Sequence, residues 1–171
     1  MESRAKLLGH PIHQMLIVFP LGLLATAAIF DLLYVITNGI GWAHASYYLI
    51  PAGCLGGVLS AVFGLIDFVA IPKRTRARRV GTIHGIGNVF VLMMFWLSWF
   101  MRSPDASAPP PGLAVILSMS GLGLALITGW LGGELVNRLS VGVDDGANVN
   151  APSSLMKRPA HDVTRRDMAA D

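Results

Sequence analysis

Charge is scarce in this chain: 13% of its 171 residues are Asp, Glu, Lys or Arg, about half of the roughly 25% usual in soluble domains. Such a shortage excludes a fold that must cover itself with a solvated surface. With 53% hydrophobic residues and a mean hydropathy of +0.58, the chain reads as an integral membrane protein. Cysteine is scarcer still. Cys54 stands alone inside an apolar run, which excludes an intramolecular disulfide and a Cys-x-x-Cys metal site and leaves a small buried hydrophobe. The apolar runs also lack period-two alternation, so a membrane barrel is excluded and helices remain. A net charge of +3 is too small to mark a nucleic-acid partner.

What is present is length without interruption. Four apolar segments, about 14–36, 47–71, 83–101 and 113–136, each approach the roughly 20 residues that a bilayer core requires. They predict an all-α, integral membrane four-helix bundle running up-down-up-down over residues 1–143. The polar stretch 144–171 is expected to be a disordered cytoplasmic tail. The first run resembles a signal peptide, with Arg4 and Lys6 before it and Ala25-Thr26-Ala27 inside it, but it continues to Ile36, too long for a signal.

Basic residues set the expected orientation. Arg4 and Lys6 precede the first helix, and Lys73, Arg74, Arg76, Arg78 and Arg79 crowd the second loop. The first loop has none, and the third has Arg102 with Asp105. Both termini are therefore expected in the cytoplasm, with the protein multi-pass in the cytoplasmic membrane and the lipid bilayer its first partner. Tyr34, Trp42, Tyr47, Tyr48, Trp96 and Trp99 fall where aromatic rings suit the outer interface. Small-residue ridges on helix two (Gly53, Gly57, Ala61) and helix four (Gly121, Ala125, Gly129, Gly133) predict close helix contacts.

Against this apolar background the ionisable residues stand out. His10-Pro11 reads as a helix start, because proline suits the first helical position, and His13 then falls one turn on. The positive end of the helix dipole there favours neutral imidazole, the form able to act as a ligand. With alternating helices, His10, His13, Asp67, His84 and Glu134 all come to the cytoplasmic end, which makes them a candidate metal set, with His13, His84 and, in reserve, His10 as cofactor ligands. Asp31 lies five turns after His13 on the same face and needs a partner within the bilayer. Structural alternatives remain open: capping for the histidines, ion pairing of Asp67 with Lys73 or Arg74, and pairing of Glu134 with Arg138. His44 and His161 are expected in a loop and in the tail.

At GHPIHQML (9–16), FGLIDF (63–68), TIHGIGN (82–88) and GWLGGELV (129–136), the chain resembles DUF2231, a family of four-helix bacterial and archaeal membrane proteins of unassigned function. The resemblance covers roughly residues 7 to 143. It implies association with redox modules, because some members carry a fused Rieske-type iron–sulfur domain; this chain, with one cysteine, carries none. Gln14 stands where the family pattern has a second proline, and Asn137 to Val141 depart from a family ending that includes a histidine near position 139.

Three functions follow. The leading one is a redox subunit binding haem b or a transition metal through the histidines and meeting redox partner proteins, with homo-oligomerisation open. The alternatives are a noncatalytic membrane scaffold and a small proton-linked transporter. No catalytic residue is marked, and whether the protein is an enzyme stays open.

Overall fold

The computed structural model describes residues 1–164. The part of the polar tail at 165–171 lies outside the described residues. Two short strands, β1 (Lys6–Leu7) and β2 (His10–Pro11), come first, followed by α1 (Ile12–Leu16), α2 (Val18–Thr37), α3 (Ile40–Ala70), α4 (Arg76–Phe100) and α5 (Gly112–Gly133). A π-helical turn, Glu134–Arg138, continues α5. Four spans result, Ile12–Thr37, Ile40–Ala70, Arg76–Phe100 and Gly112–Arg138, each long and apolar enough to cross a membrane.

Local chemistry explains the interruptions. Pro20 has no N–H for the carbonyl four residues back, so the first span breaks at Ile17 into α1 and α2. Leu8 and Gly9 both have positive φ, at 51° and 87°, and make the two-residue turn that joins β1 to β2. His10 pairs across that turn with Leu7, and Pro11 is the extended cap of α1. His10 therefore lies outside the helix, and the expectation that it shares a helical turn with His13 is corrected.

Each span packs most extensively on its neighbour in sequence, first on second and third on fourth. The first also meets the fourth and the second meets the third, so the two helical hairpins close a ring. The first and third spans start, and the second and fourth end, on the side that holds the N-terminus and the described part of the polar tail, here the terminal side. The interior is small and polar: Ala27, Ala28, Ala114, Ser46, Ser60, Ser98, Ser118 and Thr128 are buried around Leu24, Ile50, Cys54, Val91 and Phe95. Large apolar side chains such as Leu126, Ile127 and Trp130 point outward, the inversion that a lipid surround permits. Gly53 meets Leu24, Gly57 meets Leu92 and Gly121 meets Phe95, so these glycines admit side chains from adjacent helices. Gly129 faces open space instead and belongs to the outer surface.

Candidate functional site

The first span carries His13 on α1, directed at the second. His13 Nδ1 lies 2.9 Å from the Ser60 carbonyl oxygen and 3.1 Å from Ser60 Oγ. A carbonyl only accepts, so the ring proton sits on Nδ1 and the Nε2 lone pair is left free. Gly64 makes room: a Cβ there would stand 2.8 Å from His13 Nδ1.

The third span repeats this. His84 Nδ1 lies 2.8 Å from the Thr128 carbonyl oxygen, and a Cβ on Gly132 would stand 3.2 Å from His84 Cε1. Asn88, one turn on, places Nδ2 3.2 Å from His84 Nε2 and 3.0 Å from the His84 carbonyl. Its Oδ1 accepts from the Thr128 hydroxyl at 3.0 Å, which orients the amide. Both rings are half-buried, and His10 is exposed.

The carboxylates are engaged elsewhere. Asp67 accepts from Ser3 Oγ at 2.8 Å, from the Arg4 main-chain N–H at 2.8 Å and from that of Ala5 at 3.4 Å. It thus anchors the N-terminal segment, and its expected pairing with Lys73 or Arg74 is corrected. Glu134 accepts from Arg76 Nη2 at 2.7 Å, a contact between the fourth span and the start of the third. Its expected pairing with Arg138 is likewise corrected: the Leu139 N–H reaches back five residues to the Glu134 carbonyl, and this wider turn alters the spacing that an i, i+4 pair needs. Among the described residues no three His, Cys, Asp or Glu side chains lie together as a metal-binding group.

The N-terminal segment is held on its other side too. Met1 donates from its amino group to the Ser140 carbonyl at 2.9 Å, and Lys6 Nζ bridges Glu2 at 2.7 Å and Asp144 at 2.5 Å. Ser154 Oγ, in a short 3-10 turn of the tail, donates to the Leu8 carbonyl at 3.0 Å. Hydrogen bonds to Asp144 and Glu2 push the Lys6 pKa above the ordinary lysine value. The same Lys6 contact, with the Asp145 N–H second, holds Glu2 below the usual carboxylate range.

At the opposite, far end of the bundle, Arg102 turns back from the end of the third span. Its Nη1 and Nη2 donate to Asp31 Oδ1 at 2.7 Å and Oδ2 at 2.6 Å. Ser118 Oγ also donates to Asp31, Ser46 Oγ lies 3.3 Å from Arg102 Nη1, and Ser98 Oγ lies 2.9 Å from Nη2. Asp31 is fully buried. The sequence marks its need for a partner, and Arg102 meets it from the start of the third loop, just beyond α4, by folding its side chain back. The available signal was spacing, since Arg102 follows His84 by the same 18 residues that separate Asp31 from His13. His44, expected in a loop, lies within α3 and makes an edge contact with Tyr48.

The family model described as a predicted membrane protein, DUF2231, matches residues 9–145. The chain belongs to the DUF2231 family. The match begins just before His10-Pro11 and ends just after the turn that carries Glu134, so both histidine contacts lie within the DUF2231 region. No curated protein and no solved structure shows a match.

Proposed function

We propose that this DUF2231 protein is a membrane redox subunit that holds haem b or a transition metal through His13 and His84, with His10 in reserve, and exchanges electrons with a partner protein. The observation that supports it is the shared contact of each ring's Nδ1 with a main-chain carbonyl oxygen. Each imidazole gives its Nδ1 proton to a main-chain carbonyl, which orients the ring and leaves Nε2 as the donor atom, the arrangement common to metal-bound histidine. An incoming metal displaces only the Asn88 amide from His84 Nε2. Asp67 and Glu134, candidates from the sequence, would have to leave the N-terminal segment and Arg76 to join as ligands.

Those same engagements favour a second reading, a noncatalytic scaffold, in which the carboxylates and imidazoles only tie helices together. A proton-linked transporter is disfavoured by the engagement of both Asp31 carboxylate oxygens, by Arg102 and Ser118. Absorption spectra of the detergent-purified protein, oxidised and reduced, with metal analysis after expression with haem precursor and metals supplied, separate these readings. A stoichiometric haem or metal, lost on His13→Ala or His84→Ala, is expected. A parent with neither overturns the redox reading and leaves the scaffold.

Basic residues on the terminal side support placing both termini in the cytoplasm. Arg4, Lys6, Lys73, Arg74, Arg76, Arg78 and Arg79 lie there, whereas the far side offers Arg102, whose charge is buried against Asp31.

A further inference from the structure

The two hairpins share a set of contacts whose offsets match within each helix. His13 meets the Ser60 carbonyl and Gly64, and His84 meets the Thr128 carbonyl and Gly132, with the glycine four residues after the carbonyl in both. Eleven residues after each histidine, Leu24 and Phe95 fill the space over Gly53 and Gly121, each glycine seven residues before its carbonyl residue. Eighteen residues after each histidine stand Asp31 and Arg102, which bind each other. Sequence agrees with contact: residues 12–21 and 83–92 both read I-H-x4-V-F-x-L. Val18, Phe19, Val89 and Phe90 are all at least half exposed, on the lipid-facing surface, where packing places little demand on identity. Their agreement therefore points to a common unit more than to a common structural task.

Both hairpins start on the terminal side, so the repeat is parallel, and the operation relating its halves is a twofold axis along the bundle. Equivalent residues can touch only near that axis, which is where the Asp31 and Arg102 contact places their faces of the first and third spans. Eighteen residues earlier, about 27 Å along a helix, each of these two spans carries its histidine, His13 or His84.

We infer that the chain is one helical hairpin used twice, and that His13 and His84 are the equivalent halves of a single axial site. That site fits an occupant with two equivalent coordinating positions: a metal ion between opposed imidazoles, free or within a tetrapyrrole. This occupant rests on the redox reading above; the duplication does not. Equivalence also narrows the ligand set. His10 has Gly81 at its counterpart, Asp67 has Leu135, and Glu134 has Ile66, so none of the other candidates is repeated.

Nitrogen-15 NMR of histidine in the full-length protein, with hemin and copper(I) titrations, tests both parts. Signals assigned through His13→Gln and His84→Gln should show both rings protonated at Nδ1. A proton on Nε2 in one of them overturns the equivalence, whether or not anything binds. Glutamine keeps an N–H for the carbonyl, so these variants retain the helix contact while removing the imidazole. One hemin or one copper ion should bind per chain, and each variant should lower the amount bound at least tenfold. Loss in one variant with full binding in the other overturns the twofold site while leaving a redox subunit. Binding of neither probe overturns the occupant together with the redox reading, and matched tautomers would then still uphold the duplication.

Discussion

Asp31 and Arg102 form a two-pronged ion pair, 2.7 and 2.6 Å, that joins the first span to the third inside the far end of the bundle. Burial makes the pair unforgiving. Removing one partner leaves the other charge without compensation, at a cost of about 3 to 5 kcal/mol, whereas removing both together costs much less. Arg102→Met alone should therefore melt well below the parent in detergent, and Asp31→Asn/Arg102→Met should recover most of the loss. Simple addition of the two single losses in the double variant would show that the residues do not depend on each other.

Glycines divide by what they face. Gly64→Ala places a methyl group 2.8 Å from His13 Nδ1, and displacing that ring should cost about 1 to 3 kcal/mol, the range for overpacking. A Cβ on Gly129 meets nothing within 4 Å, so Gly129→Leu should stay within about 0.5 kcal/mol of the parent. Thermal melts of the two variants check both. Equal destabilisation would place Gly129 inside the bundle.

The N-terminal segment should respond to pH through Glu2 and Lys6. Because the folded Glu2 pKa is lowered, its contribution is present above the unfolded value of about 4.3 and is lost as pH falls through the folded value. The Lys6 pKa is raised, so its contribution is complete below about 10.4 and is lost as pH rises through the folded value. Amide exchange at Arg4 and Ala5 should be slowest, after correction for intrinsic rates, between those limits. Asp67→Ala should speed it across the whole window by removing the acceptor for both amides.

Orientation can be read with reporter fusions. A fusion after Asn38 should report the outside and one after Arg79 the inside; the reverse result would overturn the placement of the termini.

Much of this architecture was legible in the sequence, because bilayer thickness turns four long apolar runs into four spans with little ambiguity. The side-chain partners were harder. Ser3 to Ala5 precede any periodic element, so nothing in helical spacing marks them as the partners of Asp67. Arg102 follows the last apolar residue of its run, where a loop position and a side chain folded back into the bundle look alike in sequence. Pairing Glu134 with Arg138 assumes α-helical geometry, and the π-helical turn there does not provide it. The histidine contacts required knowing which carbonyl each ring would meet, and the repeated I-H-x4-V-F-x-L, though in plain view, names no carbonyl.

The bond between Asp31 and Arg102 also imposes an order on biogenesis. Asp31 leaves the ribosome 71 residues ahead of Arg102, so the first hairpin can enter the bilayer while its acid has no counter-ion. An acid at the bilayer centre costs about 2.5 to 3.5 kcal/mol on insertion scales and less toward the edge where Asp31 lies, and the deficit persists until the third span arrives. A chain truncated after the first hairpin would therefore leave this acid uncovered, and only the third span completes its enclosure.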